Sequence, residues 1–203
     1  ASDWPILQHC PMPLLPAQTY PNAFFDSVIF GRDLLVRLPQ TAAGFWRHMQ
    51  TWSQRNGATA SNAQDAFDAW YAAGLIERVD FAWDRHSLLT LTLPAEASLD
   101  EVREHCLNML CQRVLKMPEL LWLLSRVPRS TIPFIKKALF TNKKAGFDVP
   151  TRLMLLASFG AVQKVADEWR LTEIGWAAQA AHPPQELPRF IPETGDEEAL
   201  SNG

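Results

Sequence analysis

The spacing of apolar residues predicts a mainly helical protein with short strands, of the α+β class. In the second half of the chain, apolar residues recur every three or four positions over Leu120 to Val127, Ile132 to Phe140 and Val149 to Phe159. That is the period of a helix with one buried face. Two strands are then predicted, over Ala161 to Val165 and Trp169 to Thr172. The predicted order is three helices followed by a hairpin.

The first half has a related pattern. Helices are predicted over Ala42 to Ser53 and Ser61 to Ala73, and Gly74 follows the second one as a helix-ending glycine. Alternation over Leu75 to Phe81 and Leu88 to Leu93 then predicts two strands around a polar turn. A helix, a glycine and a hairpin are typical of a recognition helix followed by its wing.

Two further strands are predicted ahead of these helices. Phe24 to Phe30 and Leu34 to Leu38 are rich in Val, Ile, Phe and Leu, and Gly31-Arg32-Asp33 lies between them. Short β-rich segments around a glycine-containing turn indicate a hairpin.

The predicted fold is therefore two winged-helix-like units joined by a helix. Five prolines in the first twenty-one residues favour an extended arm, which covers either its own domain or a partner surface. The predicted organisation is a proline-rich arm (1–21), an N-terminal winged-helix or peptide-recognition domain (22–98), a connecting helix (99–118), a C-terminal winged-helix domain (119–182) and a disordered tail (183–203).

Composition places the chain among ordinary globular proteins. It has 203 residues, of which 47% are hydrophobic and 20% charged. Three cysteines are an odd number, which argues against a disulfide framework and favours a reducing compartment. The sequence also lacks the roughly eighteen consecutive apolar residues of a membrane span. We expect a soluble, cytoplasmic protein.

Positive charge is concentrated in one segment. Residues 116–152 carry 8 Lys/Arg against 2 Asp/Glu, although the whole chain has a net charge of -3. This basic cluster would suit a partner surface, an acidic ligand or phosphates, or would simply be a solvated face. Its members are Lys136, Lys137, Lys143, Lys144 and Arg152.

The predicted recognition helices disfavour DNA binding. The first carries Asp65 and Asp68 and has no Lys or Arg, while the second offers only Arg152 for contacts to bases. Helices that read bases normally present Arg, Lys, Asn or Gln. Nucleic acid therefore remains possible but is not the favoured partner.

The sequence offers little catalytic chemistry. His9-Cys10, His105-Cys106 and Cys111 lack the paired spacing of a zinc site, and we interpret the cysteines as buried structural thiols. Phosphate-binding, nucleophile-elbow and paired-carboxylate motifs are likewise missing. The chain is predicted not to be an enzyme and to hold no cofactor. Trp83 and Trp122 are candidate anchors for a protein contact.

Two resemblances add to this interpretation. Leu155 to Val162, followed by Trp169 to Gly175, resembles the end of a winged helix in bacterial regulators. The two predicted N-terminal strands, with Gln40 to Trp46 and Ala72 to Glu77, resemble the leader-peptide recognition domains of ribosomal-peptide biosynthesis. Those domains look like the small chaperone of pyrroloquinoline quinone biosynthesis, although they have three strands before the helices and require no wing.

The second resemblance implies a function. A recognition domain fused to a helical domain is similar to the partner subunits of iron-dependent barrel enzymes that modify peptide cysteines, as in thiaglutamate biosynthesis. By that resemblance the chain would bind a precursor peptide as an added strand and deliver it to an enzyme subunit that holds the iron. The residues carried over to the peptide groove are Val28, Phe30, Leu35, Arg37, Phe67 and Trp70.

Three hypotheses follow. The first is a non-catalytic partner protein that binds a leader peptide and docks onto a modifying enzyme, and the second is a winged-helix DNA-binding regulator. The third is a structural adaptor without a peptide client.

Overall fold

A computed structural model describes residues 6–14, 22–58, 62–140, 144 and 146–188. These residues are mainly helical, with one small three-stranded antiparallel sheet, which confirms the predicted α+β class. The chain divides into two compact units. Among the described residues, the first unit holds those up to Leu115 together with Met154–Phe159, and the second holds Lys116–Leu153 and those from Gly160 onward.

The first unit is built from helices joined by short extended segments. Its helices are α1 (Ala23–Arg37), α2 (Ala42–Arg55), α3 (Ala63–Ala72), α4 (Phe81–Asp84) and α5 (Leu99–Arg113). Thr41 and Asn62 cap α2 and α3, because their side chains accept hydrogen bonds from backbone N–H groups that have no partner within the helix. Gly57 and Gly74 follow these helices with φ of 95° and 81°, and for Gly74 this agrees with its predicted helix-ending role.

The two strands predicted over Phe24 to Leu38 are wrong, because the whole segment lies in α1. Phe24, Val28 and Leu34 are spaced so that they share one buried helical face. Gly31 lies on the same face and is not a turn residue. A Cβ at Gly31 would come within 3.0 Å of Leu75 Cδ2 and 3.1 Å of Phe45 Cζ, so glycine allows the close approach of these side chains.

Aromatic residues form the core of the first unit. Phe45, Phe67 and Trp70 are fully buried, and their ring centroids lie 5.2 to 6.2 Å apart in tilted and edge-to-face pairs. The Trp70 indole N–H donates to Ser27 Oγ at 3.4 Å, which gives this buried polar group a partner from α1. The core therefore joins α1, α2 and α3.

The predicted hairpin of the first unit is much shorter than expected. Isolated antiparallel bridges join Thr41 to Leu88 and Ile76 to Leu91. The polar turn predicted near Trp83 is instead the short helix α4. α5, predicted as a connection between two domains, ends at Arg113 and packs on α3 within the first unit.

The described part of the proline-rich arm, residues 6–14, lies against its own unit. Leu7 forms a parallel bridge with Val114, donates its N–H to the Arg113 carbonyl at 2.7 Å and accepts the Leu115 N–H at 2.9 Å. Leu14 is only 2% exposed. Leu7 therefore pairs with the backbone of its own unit, which agrees with the interpretation that the arm covers its own domain.

The second unit contains the sheet. Its elements are α6 (Met117–Arg126), β1 (Ser130–Thr131), α7 (Ile132–Leu139), the first half of α8 (Val149–Ser158), β2 (Val162–Val165), β3 (Glu168–Leu171) and α9 (Glu173–Ala181). The strand order is β1-β3-β2, with Val162 opposite Leu171 and Ser130 opposite Trp169. The predicted helices and hairpin of this half are confirmed to within a few residues.

Local sequence explains the end of this unit. Gly160 adopts φ of 80° after α8, and Thr172 caps α9 by accepting the Gly175 N–H at 3.1 Å. A Cβ at Gly175 would lie 1.9 Å from the Ala161 carbonyl oxygen, so only glycine fits there. Pro118 lies in the first turn of α6, where a backbone N–H would have no partner within the helix, so its missing N–H carries no cost.

The predicted disordered tail needs a correction over residues 183–188. The Glu119 carboxylate is buried and accepts the backbone N–H groups of Gln185 and Glu186 at 2.9 and 3.1 Å. A buried carboxylate needs such donors, so this part of the tail is held in place. Residues 189–203 lie outside the described part of the chain.

None of the helices in the described ranges combines the length and the apolar character needed to cross a bilayer.

Candidate functional site

Helix α3, in the position of the predicted first recognition helix, has little accessible surface. Six of its ten residues, among them Phe67 and Trp70, are buried, and Asp65 is exposed. Asp68 is half-buried, accepts a hydrogen bond from Gln64 at 3.0 Å and pairs with Arg78 at 3.2 Å. Burial raises the pKa of Asp68, and the nearby Arg78 charge opposes that shift. The accessible side of α3 is therefore acidic.

Helix α8, in the position of the second recognition helix, is even less accessible. Of its ten residues only Pro150 is exposed, and Met154 and Ala157 are partly buried. Arg152, the one side chain suited to base contacts, is fully buried. This side chain therefore cannot reach a ligand at the surface.

Arg152 instead stabilises the interior of the second unit. Its guanidinium forms an ion pair with Asp148, one helical turn earlier, and lies 5.1 Å from the centroid of the Phe140 ring. A buried arginine is tolerated when a carboxylate and an aromatic face compensate its charge. The assignment of Arg152 to a partner surface is wrong.

The remaining lysines of the basic cluster are more accessible. Lys137 and Lys144 are exposed, and Lys136 is half-buried. The stem of Lys136 covers Gly146, where a Cβ would lie 3.3 Å from Lys136 Cγ. Lys143 lies outside the described residues.

The residues assigned to a peptide groove do not form one surface. Val28, Phe67 and Trp70 are completely buried in the core of the first unit. Phe30 is half-buried and stacks on Trp52 at 5.2 Å. Because α1 replaces the predicted sheet, a peptide has no strand edge to join over these residues.

The two remaining residues assigned to the peptide groove lie near the C-terminal end of α1. Leu35 is half-buried, and Arg37 is exposed.

An accessible aromatic surface lies around α4, at a place the sequence indicated through Trp83. The Trp83 side chain is 85% exposed. Two residues earlier, the Phe81 ring stacks on the ring of the core residue Phe67, with 5.2 Å between the ring centroids. The Trp46 ring centroid lies 6.2 Å from that of Phe81. We call Trp46, Phe81 and Trp83 the α4 corner. An exposed tryptophan on the same short helix as a partly buried phenylalanine has the composition of a protein contact.

The thiols are placed as structural residues. Cys10, Cys106 and Cys111 are buried, and burial raises the pKa of the Cys106 thiol, which makes it unreactive. His105 Nε2 lies 3.0 Å from the Gly74 carbonyl oxygen. Within the ranges that the structure describes, no three His, Cys, Asp or Glu residues are grouped as ligands for a metal ion.

Comparisons of the chain with protein-family models, with curated proteins and with solved structures find no match.

Proposed function

We propose that the chain is a non-catalytic protein of two winged-helix-like units that binds a polypeptide and presents it to a modifying enzyme. In the narrower form of this proposal, the polypeptide is the leader of a ribosomally made precursor, and the enzyme subunit carries any iron the reaction needs. The two parts of the proposal have different support.

The order of elements supports the winged-helix part. In the second unit, helix, strand, helix, helix and hairpin follow one another, and β3 lies between β1 and β2. In the first unit, α1 to α3 have the same order. Thr41 pairs with Leu88 and Ile76 with Leu91, so the segment after α4 pairs with both earlier extended segments. This repeats the strand arrangement of the second unit in reduced form.

One observation carries the choice of polypeptide over DNA: the helices that would enter a DNA groove have no accessible basic side chain. Arg152 on α8 is fully buried, and the accessible carboxylates of α3 would repel phosphates. The α4 corner supports a protein contact instead, because it carries an exposed tryptophan, and tryptophan is enriched among the residues that anchor protein contacts.

The leader-peptide form now rests on a smaller part of the sequence. The strands that contributed to the resemblance are part of α1, so strand addition over Phe24 to Leu38 is no longer its basis. A leader would have to bind elsewhere on the first unit. The alternative, a DNA-binding regulator, keeps the support of the exposed Lys137 and Lys144.

Fluorescence anisotropy with a labelled random DNA duplex tests the choice of partner. The chain and its Lys137→Ala/Lys144→Ala variant are titrated at about 50 and 200 mM salt, because phosphate contacts weaken steeply with salt. We expect no binding at micromolar protein. Binding that falls with salt and is lost in the double variant would favour the regulator.

Co-expression with polypeptides encoded next to its gene tests the positive part of the proposal. The polypeptide from a purified complex is isolated and titrated by calorimetry with the wild-type chain, with the Trp83→Ala variant and with the Leu99→Ala variant. Leu99 is a matched control, because it is also exposed, at 56%, and lies in the same unit. We expect a weakening of at least tenfold for Trp83→Ala alone. If none of these polypeptides binds, the proposal fails.

A further inference from the structure

The arm segment 6–14 occupies a surface at the C-terminal end of α5. α5 ends at Arg113, and Val114 is extended, with φ of -121° and ψ of 126°. This turn to extended backbone offers the Arg113 carbonyl and the Leu115 N–H, which pair with the two main-chain groups of Leu7. We call the surface under residues 7–14 the arm groove.

Five side chains of the arm are buried and four are exposed, and the buried ones define what the groove accepts. Ile6, Gln8, His9 and Met12 are exposed. The segment contains no Asp, Glu, Lys or Arg. The buried side chains are Leu7, Cys10, Pro11, Pro13 and Leu14.

Proline suits this burial for a physical reason. Pro11 and Pro13 have no backbone N–H, so their burial leaves no donor without a partner. An extended segment with prolines is also already ordered before it binds, which lowers the entropy cost of binding. Main-chain pairing at one residue with pockets for the following apolar side chains is a known mode of peptide recognition.

We propose that the arm groove is a polypeptide-binding site whose resting occupant is the chain's own arm. Its exchange partner is an uncharged segment of another polypeptide with the arm's pattern. In that pattern, prolines lie four and six positions after a leucine, and a second leucine lies seven positions after it. The arm itself is the observation that identifies this chemistry, because Leu7 pairs through its main chain and the apolar side chains that follow it are buried. The inference rests on the proposed polypeptide-binding function and names the kind of segment bound.

The arm competes with any incoming segment through its covalent link. A segment tethered through a few residues has an effective concentration on the order of millimolar. A free peptide must therefore approach that concentration, or bind more tightly than the arm, to displace it. The arm therefore sets a minimum affinity for binding, and segments that match its pattern weakly do not displace it.

Cys10 reports on arm exchange in the full-length chain. Cys10 belongs to the arm, and its side chain is buried. Cys106, which is completely buried in α5, reports on unfolding of the unit. Native protein is treated with iodoacetamide, and labelling at each cysteine is followed by mass spectrometry of its peptides. We expect Cys10 to react at least tenfold faster than Cys106. Equal rates would mean that the arm leaves only on global unfolding, and would overturn the proposal.

A synthetic peptide of residues 1–14 with the change Cys10→Ser serves as the competitor. At about 1 mM, near the effective concentration of the arm, it should raise the Cys10 labelling rate at least tenfold and leave Cys106 unchanged. A control peptide that also carries Leu7→Asp and Leu14→Asp should have no effect. If the unmodified competitor has no effect either, the groove does not accept a segment in trans and the proposal fails.

The same labelling assay separates this inference from the proposed function. A neighbour-encoded polypeptide that binds the chain but leaves Cys10 labelling unchanged would preserve the proposed function and overturn the arm groove as its site. Displacement by the arm peptide, without binding of any neighbour-encoded polypeptide, would support the groove and contradict the proposed function.

Discussion

Arg152 and Asp148 form an ion pair on successive turns at the start of α8, with the arginine side chain fully buried and Asp148 only 8% exposed. The Phe140 ring lies against the same guanidinium, at 5.1 Å from its centroid. Arg152 was assigned to a binding surface because it lies in a basic segment, but its side chain is part of the core of the second unit. The interaction has consequences for stability.

Replacing Arg152 by methionine should be strongly destabilising, because it leaves the Asp148 carboxylate buried without its arginine. Loss of one member of a buried pair costs about 3–5 kcal/mol. Lys137→Met is the matched control, since Lys137 is exposed and should change the free energy of unfolding by less than about 0.5 kcal/mol. Urea denaturation measures both. Equal midpoints for the two variants would contradict the structural role of Arg152.

A double variant, Arg152→Met with Asp148→Leu, should recover part of this loss. Removing the carboxylate together with the guanidinium removes the uncompensated charge, and apolar side chains of similar volume can replace a buried pair at little cost. The coupling free energy from the double-mutant cycle measures the interaction. A strictly additive result would show that the two residues do not stabilise each other.

Gly74→Ala should destabilise the first unit by two separate effects. Gly74 has φ of 81°, and an added Cβ would lie 2.3 Å from Met109 Cγ and 2.6 Å from His105 Nε2. The left-handed conformation costs a non-glycine residue about 1–2 kcal/mol, and the clash with α5 adds about 1–3 kcal/mol. Gly57→Ala separates the terms, because Gly57 has φ of 95° but is exposed. Thermal unfolding should show a clearly larger loss for Gly74→Ala.

Local sequence could predict the hairpin end of the second unit but not the first helix. Gly160 and Thr172 act through their own backbone and the next few residues, so their roles are visible in sequence. Phe24 to Leu38 also fits a β-rich pattern, and Gly31 resembles a turn residue. Its actual role depends on Phe45 and Leu75, which are distant in sequence.

The candidate site was harder to predict than the fold for the same reason. The charge of Arg152 suggested a surface, but its burial depends on Asp148 and Phe140 together. The spacing of Asp148 and Arg152 at i and i+4 was a local sign of the pair. Trp83, named from the sequence as a candidate contact anchor, is exposed, although the polar turn predicted around it is the short helix α4. Trp122, the other candidate, is partly buried.

Substitutions of Trp70 and Trp83 should separate the core from the α4 corner. Trp70→Ala removes a completely buried side chain and the N–H that bonds Ser27, and should cost about 3–5 kcal/mol. Trp83→Ala should change stability by less than about 0.5 kcal/mol, because the side chain is 85% exposed. Chemical denaturation of both variants measures these values. A large loss for Trp83→Ala would mean that this residue supports the fold, and would remove it as a contact anchor.

The stability of the second unit should depend on pH through His182, which ends α9. Burial lowers the pKa of His182 below its ordinary value of 6.5. The folded chain therefore holds this imidazole neutral where the unfolded chain protonates it, and stability is lost as pH falls below 6.5 towards the folded-state pKa. His182→Gln removes the titration and leaves the other groups in place. The difference in unfolding free energy between wild type and His182→Gln, measured by urea denaturation across this range, should be constant above pH 7 and should shift against the wild type below about pH 6. Parallel curves for the two proteins would show that His182 titrates alike in the folded and unfolded states.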